Sequence, residues 1–393
     1  MYTLNRIDTG VCAPDGFFAD GIHAGLKANE ALDMAFIYSD TLCDIAATFT
    51  TNKMTAAPIR HFRKKGEFKT NFVMINSKNA NAMTGSKGIA DIDEIMDSLE
   101  IDGLVNPVMS STGVIGVRIP KEKIIAGTKL FDITKKEPVR ASQAIMTTDQ
   151  FSKTIAYEVV LEDGSKFHIG AMAKGAGMIN PAMATMLCFI TTDADISATK
   201  MQKILDKTVK TTFNAISVDG DTSTNDTVML MSNKKSGSYD KTAFKAALYE
   251  VMKFLALEMV RDGEGATKVV TYNITGAKSD EEAEKVAKAL SDSLLVKTAL
   301  YGEDPNWGRI ASTVGASGVK CKEETLKISF NDLCVYDRGE IYFDKEMEID
   351  AAAIMKLSSF TINCDLGIGH GEFTAYGCDL GYEYVKINAD YRT

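Results

Sequence analysis

Long apolar runs, paired cysteines, clustered histidines and dense basic patches are all scarce in this chain of 393 residues. No run reaches the roughly 18 apolar residues of a membrane-spanning helix, so no membrane partner is expected. The first residues, MYTLNRIDTGVCAPDGF, show no basic stretch followed by an apolar run and do not read as a signal peptide. The seven cysteines are an odd number and form no CxxC pair. That pattern argues for a reducing compartment and against a disulfide framework, so a cytoplasmic location is expected. His23, His61, His168 and His370 lie far apart in the sequence, and no metal site is expected. Net charge is −9, and no Lys/Arg cluster is denser than Arg60–Lys65. Nucleic acid is therefore not an expected partner, and Arg60–Lys65 reads as a solvated loop. The seven prolines are scattered, with no biased tract, linker or internal repeat.

What is present is an ordinary soluble composition, 45% hydrophobic and 25% charged. The length can bury one large core or two moderate ones. One stretch organises the rest: Lys174–Asp193, KGAGMINPAMATMLCFITTD. Gly175, Gly177 and Pro181 break regular structure before Ala184-Thr185. Met186–Ile190 then reads as a buried strand. A threonine is thus expected where a tight turn enters a strand. Its hydroxyl could attack the carbonyl of its own preceding peptide, and hydrolysis of the resulting ester would free Thr185 as a new N-terminus. An α-amine of pKa roughly 7.7–8.0 could then serve as base for its own hydroxyl. A glycine turn before a core strand would look the same on spacing alone.

Several other segments carry polar groups at the ends of predicted elements. Met34–Tyr38, Ile45–Phe49 and Phe72–Ile75 read as strand pieces. The last delivers Asn76-Ser77-Lys78-Asn79-Ala80-Asn81, whose amides could crowd a cleft or cap the next helix. Ile89, Ile92, Ile95, Met96 and Leu99 recur at helical spacing. Ser111-Thr112-Gly113-Val114-Ile115-Gly116 offers a hydroxyl beside backbone that a glycine leaves approachable. An oxyanion hole needs those parts, although a plain turn would show them too. Thr154–Leu161 and Lys166–Met172, joined through Asp163-Gly164, read as a β-hairpin leading to Lys174. Ser197 could cap a helix through Met201, Ile204, Leu205 and Val209. Ser217–Asp226, SVDGDTSTND, lacks calcium-loop spacing and reads as loop scaffolding. The stripe Phe244, Leu248, Val251, Met252, Leu255 and Met259 predicts a core helix that ends near Gly263-Glu264-Gly265-Ala266-Thr267-Lys268. Glu264, between two glycines, could meet a cation or simply face solvent. Val269–Ile274 reads as a strand, and Ser279 with Glu282 as a capping box. Trp307, the single tryptophan, reads as a core anchor.

These segments together resemble the ornithine acetyltransferase family, also called bifunctional arginine-biosynthesis proteins. The family's cleavage and nucleophile motif is close to KG-x-GMI-x-PNMATML, with Ala182 here in place of its Asn. Its STGVIG, AIMTTD, SVDGDTSTND, GEGATK and DPNWGRI segments match, as does the ending YVKINADYRT. In its NANA-containing stretch, Lys78 and Met83 replace a commoner Gly and Cys. The resemblance spans essentially the whole chain. It implies a mixed α/β fold, an α+β-type layered sandwich of sheets and helices in a self-cleaving enzyme with an N-terminal nucleophile. It implies cleavage between Ala184 and Thr185 into an α chain, 1–184, and a β chain, 185–393, assembled as a heterotetramer of two of each. The implied reaction moves acetyl from N2-acetylornithine to L-glutamate through acetyl-Thr185, without metal or cofactor. Some members also take acetyl from acetyl-CoA, which this sequence leaves open. By the same resemblance Thr185 is the nucleophile and Thr112 and Gly113 donate to the oxyanion. Thr148, Lys174, Thr185, Glu264, Asn388 and Thr393 contact substrate. Two other readings stay open: an aminopeptidase or amidohydrolase with an N-terminal nucleophile, and a non-catalytic amino-acid-binding protein with an intact chain.

Overall fold

The computed structural model describes residues 1–180 and 186–390. Among these, strands β1 (Tyr2–Ile7), β2 (Phe17–Ile22), β3 (Met34–Phe49), β4 (Thr70–Asn76), β5 (Val108–Ser111), β6 (Lys153–Leu161), β7 (Lys166–Lys174) and β8 (Leu187–Thr192) come first along the chain. The short β9 (Ile216–Ser217) and then β10 (Thr227–Ser232) follow. The C-terminal part adds β11 (Val269–Ala277), β12 (Lys327–Phe330), β13 (Leu333–Asp337), β14 (Glu340–Ile341), β15 (Ser359–Asp365) and β16 (Gly371–Cys378).

The first sheet runs β1-β6-β7-β8-β10-β3-β4-β5, with β2 also paired to β3. The two strand pieces expected over residues 34–49 are one strand that turns a corner. Residues 44–49 of β3 pair with β10, residues 34–38 pair with β4, and the register shifts between Tyr38 and Cys43. A strand that switches layers through such an irregularity folds one sheet over the other. Between the two layers lie Ala35, Ile37, Val73 and Ile75 from one side and Met172, Leu187, Phe189, Met229 and Met231 from the other. Alternate residues of the same central strands, Ala171, Cys188, Ile190, Val228 and Leu230, face outward against the helix Lys241–Arg261. Phe36, Phe72 and Met74 face the opposite way, against helices Gly85–Asp97 and Lys121–Thr128. The result is helix, sheet, sheet, helix. It explains why β8 reads as an unbroken apolar run: both its faces are covered.

β8 pairs antiparallel with β7 and parallel with β10. The hairpin β6–β7 forms where Asp163-Gly164 predicts it. Asp163 Oδ1 accepts from Ser165 N at 2.9 Å and Gly164 has φ +80°.

The second sheet runs β14-β13-β12-β15-β11-β16-β9. One face of β11, through Val270, Tyr272 and Ile274, packs on helices such as Asp280–Asp292 and Trp307–Ala316. Two cap expectations change. Ser197 precedes its helix with the extended backbone of a cap but without a side-chain cap bond. Ser279 does accept from Glu282 N at 3.4 Å, but Glu282 Oε2 has no partner among the described residues, so the box is half made. No helix among the described residues is long and apolar enough to cross a membrane.

Candidate active site

A cleft of about 580 Å3, counted out to its solvent mouth, opens where the loops after β5 and β7 meet the loops before β10 and β11. Six of the residues expected to act on substrate line it: Thr112, Gly113, Thr148, Lys174, Glu264 and Asn388. Ala184, Thr185 and Thr393 lie outside the described residues.

The first wall is uncharged. β4 and β5 run parallel, with Asn76 beside Ser111. Thr112 N donates to Asn76 O at 3.0 Å, which turns the Thr112 side chain and Gly113 toward the cleft. Gly113 sits at φ +130°, and a Cβ there would come within 2.2 Å of the Lys78 carbonyl carbon. Only glycine fits, and its N–H meets no backbone carbonyl among the described residues. The asparagines expected either in the cleft or at a cap serve as braces instead. Asn76 Nδ2 donates to Asn79 O at 2.9 Å, Asn79 Nδ2 to Val117 O and Arg118 O, and Asn81 Nδ2 to Gly88 O. Asn225 Nδ2 ties in Ala80 O at 2.6 Å and Ser111 O at 2.8 Å. Of this stretch only Ala80 lines the cleft.

The second wall is charged. Lys174, at the end of β7, is 2% exposed. Its ammonium donates to Thr147 Oγ1 at 2.7 Å and lies 3.6 Å from Asp149 Oδ2. Asp149 Oδ1 accepts from Gly175 N at 2.6 Å and from Lys153 Nζ at 2.9 Å, while Oδ2 accepts from Thr147 N at 3.0 Å. Lys153 reaches Asp262 at 2.5 Å, and Asp262 accepts from Gln150 N. Burial pushes the Asp149 carboxyl up, but the Lys174 and Lys153 ammonium charges outweigh burial and hold it below its ordinary value. Glu264, two residues beyond Asp262, accepts from Asn388 Nδ2 at 2.7 Å, and its backbone N donates to Ala176 O at 2.9 Å. A Cβ on Gly177 would lie 2.5 Å from that carboxylate, so the glycine makes room for it. Asp379 fixes the loop, accepting from Thr267 N at 2.8 Å, Thr267 Oγ1 at 2.6 Å and Lys268 N at 3.0 Å.

Two buried carboxylates hold the chain on either side of 181–185. Asp219 accepts from Met178 N at 2.6 Å and Ile179 N at 2.8 Å, and the Tyr384 hydroxyl donates to it at 3.3 Å. Burial pushes the Asp219 carboxyl up to about 6 against those backbone donors. Asp226 Oδ1 accepts from Met186 N at 3.0 Å. Among the described residues its Oδ2 has no hydrogen-bond partner, and the nearby Thr50 hydroxyl donates instead to Ser223 O. Burial lifts the Asp226 carboxyl well above its ordinary range, against the pull of the Met186 N–H.

The arrangement offers a fixed cation, a fixed carboxylate and two neutral donors in one small cleft. Sequence reasoning missed Thr147, Asp149, Lys153, Asp262 and Asp226. Asp149 and Lys153 are four apart but belong to a turn and a strand, and Asp262 lies 109 residues from Lys153, so no local spacing could announce them. Trp307 is outside the cleft. It stacks on Tyr336 at 5.2 Å and packs on the second sheet's core, as expected.

Residues 18–393 match the model of the ArgJ family. A Wolinella succinogenes protein described as arginine biosynthesis bifunctional protein ArgJ is 64% identical over 396 residues, covering all of both chains. One of the same description from Caldanaerobacter subterraneus is 41% identical over 414 residues, covering 99% of this chain and 100% of its own. Among solved structures, an ArgJ chain from Bacillus halodurans is 40% identical and covers 51% of this chain and 97% of that one, with a TM-score of 0.48. A chain of Mycobacterium tuberculosis ornithine acetyltransferase, complexed with ornithine, is 31% identical and covers 47% of this chain and 100% of that one, with a TM-score of 0.38. With a family model matched almost from end to end and a full-length relative at 64% identity, this chain belongs to the ArgJ family.

Proposed function

We propose that the protein is a glutamate N-acetyltransferase of arginine biosynthesis, moving acetyl from N2-acetylornithine to L-glutamate through an ester on Thr185. The observation that carries the reading is the pairing of Lys174 and Glu264 with the neutral donors Thr112 and Gly113 in one cleft. An amino acid carries a carboxylate and a cationic amine, and this cleft offers an opposite charge for each. A carbonyl under attack needs donors that gain strength as negative charge develops, and Thr112 and Gly113 supply them.

The precursor first cuts itself. The Thr185 hydroxyl attacks the Ala184 carbonyl, the peptide shifts to an ester, and water releases the α chain, 1–184. Thr185 then begins the β chain, 185–393, with a free amine. Asp219 and Asp226 support this step by fixing residues 178, 179 and 186. Because β8 and β10 lie between β7 and β3 in one sheet, the two pieces stay joined by strand pairing after the cut. Two such pairs associate as a heterotetramer.

In turnover the Thr185 amine takes the hydroxyl proton as oxygen attacks the acetyl carbonyl. The tetrahedral oxyanion is held by the Thr112 hydroxyl and the Gly113 N–H. Collapse breaks the amide bond, and the proton passes from the Thr185 ammonium to the departing ornithine nitrogen. Glutamate then binds through the same α-carboxylate contact, its amine attacks the ester, and N-acetylglutamate leaves. One cleft serves both half-reactions, so the kinetics are ping-pong. Lys174 receives the α-carboxylate that both amino acids share, while Glu264 and Asn388 meet the amine end of ornithine. Thr148 and Thr393 complete the contacts. No metal or cofactor is required, and acetyl-CoA is a second donor to be tested.

The test incubates purified protein with N2-acetylornithine or acetyl-CoA, with and without glutamate, and identifies the products. N-acetylglutamate from acetylornithine supports the reading. Free acetate, with glutamate unmodified, would make the protein an amidohydrolase, and tight binding without turnover would make it an amino-acid-binding protein.

A further inference from the structure

Beneath Lys174 lies a buried set of charges that the mechanism above does not use. Lys153 and Asp262 have fully buried side chains, and Lys153 bridges Asp149 at 2.9 Å and Asp262 at 2.5 Å. Three segments meet there: the loop through Thr147–Gln150, the end of β7 with Gly175, and the loop that continues to Glu264. All three carry residues that line the cleft.

The distances define what Lys153 does. An ammonium has three protons. Thr147 Oγ1 takes one from Lys174 at 2.7 Å, whereas Asp149 Oδ2, at 3.6 Å, is beyond hydrogen-bond reach. Lys174 can therefore direct a proton at a ligand. Asp149 does not draw it in because Lys153 already supplies its positive partner, and Gly175 N and Thr147 N fill further acceptor positions. Without Lys153, the nearest cation left to answer Asp149 is Lys174. It would close that gap and turn away from the cleft.

We propose that Lys153, buried between Asp149 and Asp262, is a positioning residue that keeps the Lys174 ammonium available to the carboxylate of the amino-acid substrate. The inference rests on the reading that Lys174 receives that carboxylate. It adds that recognition depends on a second lysine that does not touch substrate.

The test compares N2-acetylornithine with its carboxamide, which keeps the shape and loses the negative charge. The ratio of the two kcat/KM values reports how strongly the cleft reads the carboxylate. Removing Lys153 alone would strand two buried carboxylates, so the main variant is the double Lys153→Met, Asp262→Asn. It takes away one charge of each sign and leaves an acceptor for Gln150 N. Loss of a charge-assisted contact to the substrate carboxylate costs about tenfold or more. The acid-to-amide ratio is expected to fall by about that factor, mostly through KM of the acid. Asp262→Asn alone leaves Lys153 bonded to Asp149 and to the Phe151 carbonyl, so the ratio should stay at the wild-type value or rise. Circular dichroism confirms the fold of each variant.

A double variant that keeps the full ratio would overturn the proposal. So would an equal loss in Asp262→Asn alone, because general loosening of the cleft would lower the ratio in both. Failure of the underlying reading shows separately: wild-type enzyme would then use acid and amide equally well.

Discussion

The two walls of the cleft are built by different physics. On one side, Thr112 and Gly113 present neutral donors from a loop held by backbone bonds and the amides of Asn76, Asn79 and Asn225. On the other, Lys174 and Glu264 present full charges, with Lys174 resting on a buried chain of alternating carboxylates and ammonium groups. In the proposed mechanism neutral donors gain most when charge develops on the reacting carbonyl, so that wall is expected to govern kcat. In the same mechanism fixed charges meet groups that are already charged in the ground state, so the other wall is expected to govern KM.

The sharpest way to break this division is at Gly113. In Gly113→Ala the new Cβ meets the Lys78 carbonyl carbon at 2.2 Å in a backbone conformation that L side chains rarely adopt. The loop must move, and both donors move with it. Turnover is expected to fall by more than the about 10²–10³ typical of losing one oxyanion donor. Thr112→Ala should lose about that factor itself. In steady-state kinetics KM for acetylornithine should change little in either variant. A kcat within twofold of wild type would take these residues out of the mechanism.

Glu264→Gln tests the charged wall. It keeps the shape and the bond from Asn388 but removes the charge. KM for acetylornithine should rise by about tenfold, the scale of a charge-assisted contact worth 1.5 kcal/mol or more, with kcat less affected. A pure kcat loss would move Glu264 to the other side of the comparison.

A smaller, pH-dependent effect belongs to Asp219. Its folded pKa of about 6 lies above the ordinary 3.8. Between those values the folded state holds a proton that the unfolded chain has lost. Asp219 therefore costs stability as pH rises from about 4 to about 6, by an amount of order 3 kcal/mol, and nothing further above that window. Asp219→Asn has no such titration, although it loses one of its backbone bonds. In denaturant unfolding, the difference between variant and wild type should shift in favour of the variant across that window. A pH-independent difference would show that Asp219 is not held protonated. The least effect is expected at Trp307, away from both walls. Trp307→Phe should cost about 1 kcal/mol of stability through its stack on Tyr336 and leave kcat/KM within twofold.

How much of this was legible in the sequence follows from the range over which each feature is determined. Asp163-Gly164 fixes the β6–β7 hairpin locally, and that hairpin carries Lys174 to the cleft. The apolar run from Met186 onward reads as a buried strand because both of its faces are covered. Thr112, Gly113, Thr148, Glu264 and Asn388 were placed by resemblance, and the structure gathers them around one cleft. Tertiary contacts decided the rest. The bend in β3 depends on two different partner strands. The Asn-rich stretch could have faced the cleft or braced it, and only the fold puts carbonyls within reach of its amides. Lys153 gives no sequence signal because its partners come from a turn and from a loop more than a hundred residues away.

Thr185 acting as a nucleophile with a free amine is the central step of the proposed mechanism. The most direct measurement is the mass and N-terminal sequence of the denatured protein, before and after incubation with N2-acetylornithine in the absence of glutamate. The expected result is two chains, the second reading Thr-Met-Leu-Cys-Phe from its start, with one acetyl group added on Thr185 of that chain after incubation. Thr185→Ala should remain a single 42.7 kDa chain without transfer. An uncut protein that transfers acetyl at full rate, or an acetyl group trapped on any other residue, would contradict the account.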